Sequence, residues 1–353
     1  MIELVLAAAL VTRVGAINWD CSVPSYTFFG HHATKSLGPE KFRDRTPYYA
    51  EVKGEGKIDY RFRTLAEYER EMQYAIDAGI DYFAYCWYDK MPHPAQDPSK
   101  EGATADPHLH EITRARLSHV KSPLREKLHL CAILVTTHDY SDDELCDLAT
   151  EMRESWYERV DGKPLVYLFC GFKPIERLRA ICRREGVGEI YAVLLDQGGG
   201  LLAKADHPQV EALSTYAFVG DAPSFADFVT KAIASNANRA SKGLPVIPHF
   251  STGWDPTPRN ERPVPWCSYA TNRVYQVAKG AADLQLMADR LGEWMAANPA
   301  SCPTGHVLAF AWNEFEEGGW ICPNLDESKR PDSSRCQAFA AAVDSLRRRV
   351  RPQ

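Results

Sequence analysis

The sequence predicts an α/β fold, a single (β/α)8 or TIM barrel. Eight short apolar runs alternate with stretches of helical periodicity over 353 residues, as is typical of parallel strand–helix–strand units. Eight such units with insertions match the usual length of this barrel. No linker rich in Gly, Ser or Pro divides the chain, and no internal repeat is found, so we expect residues 1–353 to form one domain. A doubly wound open sheet is the alternative.

The eight predicted strands are apolar runs that end at polar or turn residues. The first, at 14–19, is followed by a long segment before the first helix, so we expect a long β1–α1 loop. The run at 212–218 is weakly apolar, and the run at 244–250 contains two prolines, which lack a backbone donor. The other strands are expected at 80–85, 128–135, 165–170, 190–195 and 307–312.

Helical periodicity separates these runs. Thr64 followed by Glu67 is a capping-box pattern, and apolar residues then recur at helical spacing until Gly79. The helix predicted at 141–157 begins with acidic residues, which are favourable at the positive end of the helix dipole. The other helices are expected at 172–185, 224–235, 281–297 and 337–350.

Composition limits the classes of partner. The chain has 41 Lys and Arg against 47 Asp and Glu, a net charge of −6, which gives no support to a nucleic-acid partner. The three glycines at 198–200 are followed by neither Lys-Ser nor Lys-Thr, so a phosphate-binding loop is not favoured. Ten cysteines include no C-x-x-C pair. We therefore expect no cofactor and no bound metal.

The first 11 residues allow two interpretations. Residues 4–11 are apolar but too short for a membrane span, which needs about 20 residues, so no membrane partner is expected. They resemble the core of a secretory leader, but Glu3 and the lack of Lys or Arg before them favour a buried or frayed N-terminal extension. The protein is accordingly expected either in the cytoplasm or, with a leader, exported. Export would permit disulfides among Cys302, Cys322 and Cys336.

Aromatic and polar side chains gather where this barrel places its active sites, at the carboxyl ends of the strands. Five of the eight Trp residues are at or just past strand ends, and a sixth, Trp266, is in the loop after the seventh strand. An indole face can stack on a sugar ring while carboxylates bind its hydroxyls, so the pattern predicts a carbohydrate substrate; packing is the alternative for two or three of them. The expected substrate-binding residues are Trp19, Asp20, Tyr85, Trp87, Tyr88, His138, Asp196, Tyr216, Trp254, Asp255, Trp312, Asn313 and Trp320.

Two glutamates after the eighth strand are the expected catalytic residues. Glu314 and Glu317 are three positions apart, which places both side chains on one side of a turn. Retaining glycosidases need carboxyl groups about 5 to 5.5 Å apart and inverting ones about 6.5 to 9.5 Å apart. Either separation is accessible at this spacing, so it leaves the stereochemistry open.

The segment at 312–318, WNEFEEG, resembles the W-N-E-x-x-E-G signature of the glycoside hydrolase family 99-like group, which includes endo-α-mannosidases. Three other segments agree in order: 15–20, 74–88, and Gly253-Trp254-Asp255 with Arg259. The resemblance covers the chain from about residue 12 to 325. A more distant likeness links the segment after strand 8 to the α-1,3-glucanases of family 71.

The resemblance implies a (β/α)8 barrel and a hydrolysis that retains anomeric configuration. It implies that Glu314 takes the proton of the sugar 2-hydroxyl, which attacks C1 to give a 1,2-anhydro sugar. Glu317 would be the general acid and then the base. An acid that works near neutral pH needs a raised pKa, which a neighbouring carboxylate and aromatic walls supply.

One segment departs from the family and two other functions stay open. Residues 21–63 have no counterpart in the mannosidases; their basic residues could bind an acidic sugar or sulfate, although structural ion pairs are favoured. A non-catalytic carbohydrate-binding barrel would keep the Trp residues without needing the glutamates. A metal-dependent hydrolase would use side chains near strand ends, although no H-x-H or H-E-x-x-H pair is present. The basic residues that could bind an acidic sugar or sulfate are His31, His32, Arg43 and Arg45. The side chains that could bind a metal are His138, Asp139, Asp196, His249 and Asp255.

Overall fold

The computed structural model describes residues 12–19, 23–25, 27–54, 56–87, 114–136, 139–196 and 209–350. Eight parallel strands form its central sheet. They are β1 Arg13–Asn18, β2 Tyr82–Trp87, β3 His129–Val135, β4 Lys163–Phe169, β5 Tyr191–Leu195, β6 Ala212–Ser214, β7 His249–Ser251 and β8 His306–Phe310.

These strands close into the predicted barrel. Their order is β7-β8-β1-β2-β3-β4-β5-β6, so the last strand pairs with the first. Between β6 and β7 the pairing is reduced to one bridge, between Leu213 and Val246. The sheet is therefore a nearly closed (β/α)8 barrel, and the alternative of an open doubly wound sheet is wrong.

Helices surround the barrel, and six of the nine in the described residues match the stretches of predicted helical periodicity. Thr64 caps the helix that follows it, and its capping box with Glu67 is present. The helix predicted at 141–157 ends at Glu151, and turns follow it. The helices are α1 Phe28–Leu37, α2 Leu65–Asp77, α3 Arg114–Lys121, α4 Asp142–Glu151, α5 Ile175–Arg184, α6 Phe225–Ala240, α7 Thr257–Glu261, α8 Ala281–Ala297 and α9 Ser334–Val350.

The long segment between β1 and α2 is more ordered than a loop. It contains α1, a 3-10 helix at Glu40–Arg45, and an antiparallel hairpin formed by Ala50–Gly54 and Lys57–Tyr60. No described helix of the protein is long and apolar enough to cross a bilayer. The cysteines expected to pair in an exported protein, Cys302, Cys322 and Cys336, are buried free thiols.

A buried carboxylate holds the amino ends of the strands together. Glu158 is 1% exposed and accepts hydrogen bonds from Arg13 on β1 at 2.6 Å, His129 on β3 at 2.9 Å and His306 on β8 at 3.0 Å. Although burial opposes ionisation, these hydrogen bonds lower the pKa of Glu158 to about 2. The base of the barrel is therefore a charged cluster, on the side opposite to the predicted active site.

Candidate active site

The two predicted catalytic glutamates lie on a tight hairpin directly after β8. Asn313–Glu314 pairs with Gly319–Trp320, and the turn between them is a 3-10 helix at Phe315–Glu317. Gly318 ends the turn with φ 73°, and a Cβ there would come within 2.8 Å of the Asp255 amide nitrogen. A side chain at 318 is therefore excluded by both conformation and space, which explains why glycine follows Glu317.

One guanidinium joins the two glutamates. Arg259 on α7 donates from Nη1 to Glu317, and its Nη2 lies 3.3 Å from Glu314 Oε2. The same Nη2 is 4.0 Å from Glu316 Oε2. All four side chains are at least 95% buried. Three acidic groups thus share one cation in a dry setting, where interactions between charges are strong.

Two tyrosine hydroxyls complete the contacts of the pair. Tyr216, which follows β6, donates to Glu314 Oε1 at 2.7 Å. Tyr269, in the segment after α7, donates to the Glu317 oxygen that also accepts from Arg259. Cys86 on β2 lies 3.6 Å from the Tyr216 hydroxyl. The two carboxyl groups are therefore fixed by donors from two parts of the barrel, the segment after β6 and the connection between β7 and α8.

Burial, followed by the charge of Glu317, raises the pKa of Glu314 well above its usual range. Burial also raises the pKa of Glu316. For Arg259, burial acts against the charged form, but the glutamates raise its pKa well above the ordinary value. One cation cannot neutralise three carboxylates, so the cluster favours holding a proton.

Three of the Trp residues expected to stack on a sugar are packing residues. Trp87, Trp254 and Trp312 are at most 1% exposed, so no ring face is open to a ligand. The Trp312 indole nitrogen donates to Glu71 on α2 at 2.7 Å, and Glu71 also pairs with Arg63. A stacking role for these three rings is wrong, because they are fully covered by protein.

Trp19 and Trp320 keep 6% and 5% of their surface exposed, and Trp266 is half-buried. The Arg259 guanidinium lies 4.7 Å from the Trp19 ring and 5.8 Å from the Trp266 ring. Such cation–π contacts stabilise a buried cation. The rings of Trp19 and Trp266 therefore support the charge cluster directly.

Tyr85 and Trp87 on β2, expected to bind substrate, pack against helix α3. Tyr85 contacts His119 of α3 through its hydroxyl, at 3.2 Å, and Trp87 stacks on Arg116 of the same helix, 3.7 Å from its guanidinium carbon. Both therefore face the helical layer. Side chains alternate along a strand, and Cys86 is the residue between them that points toward the glutamates.

The remaining predicted residues are placed around the hairpin or beside it. Asn313 binds both the backbone N–H and the carbonyl of Trp19, at 2.9 and 2.8 Å. Asp255 pairs with Arg45, and its amide donates to the Glu317 carbonyl at 2.7 Å. Asp196 is buried at the end of β5. Asp20, Tyr88 and His138 lie outside the described residues.

Basic residues of the β1–α2 segment have structural partners. Arg45 is tied to Asp255, and Arg43 donates to the Gly54 carbonyl at 3.0 Å. His31 and His32 pack edge to face, with ring centroids 5.2 Å apart. Of the structural ion pairs favoured for these four residues, the described structure shows the one of Arg45. Within the described ranges no group of three or more His, Cys, Asp or Glu is arranged to hold a metal ion.

Two residues that contact the glutamates were absent from the predicted site. Arg259 lies in a segment that resembles family 99. An arginine in that segment, together with two expected glutamates, is the signal that would have found it. Tyr269 carries no such signal, since it is one of 16 tyrosines and stands in an irregular segment. Both come from the connection between β7 and α8.

Comparison with known proteins supports the fold. The structure is similar to that of a family 99 endo-α-mannosidase from Bacteroides thetaiotaomicron, with a TM-score of 0.53 and 14% identity over 81% of each chain. A second structure of this enzyme, in complex with bis-tris propane, gives a TM-score of 0.56 and 12% identity over 96% of this chain and 98% of the other. No protein-family model and no curated protein matches the chain. The resemblance to the family 99-like group is thus confirmed for the fold.

Proposed function

We propose that this protein is a glycoside hydrolase that cleaves a glycosidic bond in a poly- or oligosaccharide, with Glu314 and Glu317 as its catalytic pair. The observation that carries the proposal is the cluster itself. Two carboxyl groups are buried at the carboxyl end of β8 and bridged by the Arg259 guanidinium. A carboxyl pair in which one member holds a proton at neutral pH is what glycoside hydrolysis requires.

The proposed reaction retains anomeric configuration in two steps. Glu314 takes the proton of the sugar 2-hydroxyl as that oxygen attacks C1, and Glu317 gives a proton to the departing glycosidic oxygen. The 1,2-anhydro sugar is then opened at C1 by water, whose proton passes to Glu317, while Glu314 returns its proton to O2. Both carboxyl groups end as they began.

The raised pKa of Glu314 favours the reverse assignment, in which Glu314 is the proton donor to the leaving group. An aryl glycoside with an acidic leaving group needs little protonation. The variant that lacks the general acid should therefore keep most of its activity on such a substrate, and the variant that lacks the other carboxylate should not. Comparing Glu314→Gln with Glu317→Gln on that substrate assigns the two roles.

The central experiment is an activity screen on a broad panel of polysaccharides, with products identified by mass spectrometry. Glu314→Gln and Glu317→Gln should each abolish cleavage while leaving glycan binding largely intact. Glu154→Gln, at an exposed position away from the cluster, is the matched control and should keep full activity.

Three results would count against the proposal. Binding of oligosaccharides without cleavage by the wild-type protein would indicate a carbohydrate-binding barrel. Loss of activity in EDTA, with active glutamate variants, would indicate a metal-dependent hydrolase. Rapid hydrolysis of a 2-deoxy substrate would contradict the anhydro-sugar route, because that route needs the 2-hydroxyl.

A further inference from the structure

Two adjoining cavities lie beside the glutamate hairpin. The smaller has a volume of about 220 Å³ and is lined by Trp254 and by Tyr269, which contacts Glu317. The larger has a volume of about 750 Å³ and is lined by Asp255 and Trp320, which flank the hairpin. Tyr275 lines both cavities. Together they form a groove, named here the lateral groove, that leads away from the predicted catalytic pair.

The size of the lateral groove suits several linked sugars. Its smaller part corresponds to the volume of roughly seven water molecules, which accommodates one sugar ring. Its larger part falls within the range of about 300 to 1,000 Å³ that is usual for ligand sites.

The groove is lined by cations that have no carboxylate partner. Arg273 lines the smaller cavity, and Lys279 and Arg335 line the larger one. Within the described part of the chain none of the three forms an ion pair. The lining carboxylates are Asp255, already paired with Arg45, and Asp44. The lateral groove therefore carries net positive charge, on a chain whose net charge is −6.

Arg335 shows that this charge is built into the structure. Its guanidinium donates to three backbone carbonyls, those of Trp320, Ala278 and Thr252, at 2.5, 2.6 and 3.3 Å. Carbonyl oxygens orient a cation without cancelling its charge, and the guanidinium lies 4.2 Å from the Trp320 ring. Burial, reinforced by Arg45, lowers the pKa of Arg335 to about 10, so it stays charged at neutral pH.

From the groove, its adjacency to the glutamates and its unpaired cations, we infer that the lateral groove binds an acidic stretch of glycan, with carboxylated or sulfated sugars. The inference rests on the proposed function for its substrate class. A guanidinium or ammonium group at each cavity matches one anionic group per sugar. Tyr269 and Tyr275, which line the groove and are partly exposed, provide surfaces for the sugar rings.

The test is the affinity of the full-length protein for oligosaccharides of equal length and different charge, measured by isothermal titration calorimetry. The probes are an oligogalacturonate, which carries carboxylates, a sulfated galactan oligosaccharide, which carries sulfates, and a neutral mannan oligosaccharide. We expect at least one anionic probe to bind about tenfold more tightly than the neutral one. Comparison of the two anionic probes shows which charged group is preferred.

The variants are Arg273→Gln and Lys279→Gln, since both side chains are exposed and their loss should leave the thermal midpoint unchanged. Each should weaken binding of the preferred anionic probe roughly 3- to 10-fold and leave the neutral probe unaffected. Lys242→Gln and Arg348→Gln, exposed cations at the carboxyl ends of α6 and α9, are the matched controls and should change neither affinity.

Equal affinity for charged and neutral probes, no binding of either anionic probe, or equal effects of groove and control variants would overturn the inference. Cleavage of neutral glycans with no preference for charge would support the proposed hydrolase and contradict the role of the lateral groove. Charge-dependent binding with no cleavage of any glycan would support the role of the groove and contradict the proposed hydrolase.

Discussion

Replacing Arg259 by Met should destabilise the protein, and more strongly at high pH than at low pH. In the described structure Arg259 is the cation that contacts Glu314, Glu316 and Glu317. Without it, three carboxyl groups are buried together with no counter-charge. Removing one partner of a buried ion pair typically costs about 3–5 kcal/mol. At roughly 2.1 cal/mol/K of unfolding entropy per residue, the thermal midpoint should fall by about 4–7 °C.

The pH dependence follows from the raised pKa of Glu314, which burial and then Glu317 keep high even with Arg259 present. A carboxyl group with a raised pKa binds more protons in the folded protein than in the unfolded chain. Its contribution is complete below the unfolded pKa of about 4.3 and is lost as the pH rises through the folded value. In Arg259→Met that loss should reach about 1.4 kcal/mol per pH unit for each carboxyl group that keeps its proton.

Urea unfolding at pH 5, 6.5 and 8, followed by tryptophan fluorescence and circular dichroism, measures this effect. Arg273→Met is the control, since its exposed guanidinium has no carboxylate partner in the described structure. The double variant Arg259→Met/Glu314→Gln should recover stability at pH 8, because it removes one uncompensated carboxylate. An equal loss at pH 5 and pH 8, a loss below about 1 kcal/mol, or no recovery in the double variant would refute the reasoning.

Three further predictions concern single contacts. Because its pKa is lowered to about 2, Glu158 should contribute roughly 3 kcal/mol that is present above pH 4.5 and lost as the pH falls toward 2; Glu158→Gln should remove this acid dependence from urea-unfolding curves. The Tyr216 hydroxyl favours ionised Glu314, so Tyr216→Phe should move the corresponding limb of the pH–activity profile upward by up to about one unit. A profile that does not move would contradict it. Trp312→Phe should cost about 1–3 kcal/mol of unfolding free energy, since a buried carboxylate oxygen loses its donor. Trp156→Phe should cost less, because the Trp156 indole nitrogen has no partner in the described part of the chain.

Strand number and order could be predicted from the sequence because buried parallel strands are continuous apolar runs. The same property hides which face each side chain takes. Tyr85 and Trp87 belong to a strand that is apolar at every position, so alternation alone could not assign them to the helical layer. The sequence predicts the correct end of the barrel for Trp254 and Trp312, but residue type alone does not reveal that their rings are buried.

The glutamate pair could be expected from local spacing, since three residues of a turn fix its geometry. The donors that hold the pair could not, because Arg259 and Tyr269 approach from a connection more than 40 residues earlier in the chain. The lateral groove likewise could not be predicted from the sequence, because its cations come from separate segments that only the closed barrel brings together. Arg43 and Arg45, which the sequence suggests as ligands for an acidic sugar, instead contact the Gly54 carbonyl and Asp255.

The contact made by Asn313 links activity to the order in which the chain is synthesised. Its side chain binds the backbone of Trp19 across a separation of 294 residues, and β8 pairs with β1 beside it. During translation, β1 leaves the ribosome early and its outer edge has no neighbour until β8 is made. The glutamates emerge directly after β8, so closure of the barrel and completion of the site occur in the same late step. Incomplete chains should therefore expose an unpaired strand edge and be inactive, which makes them suitable targets for chaperones.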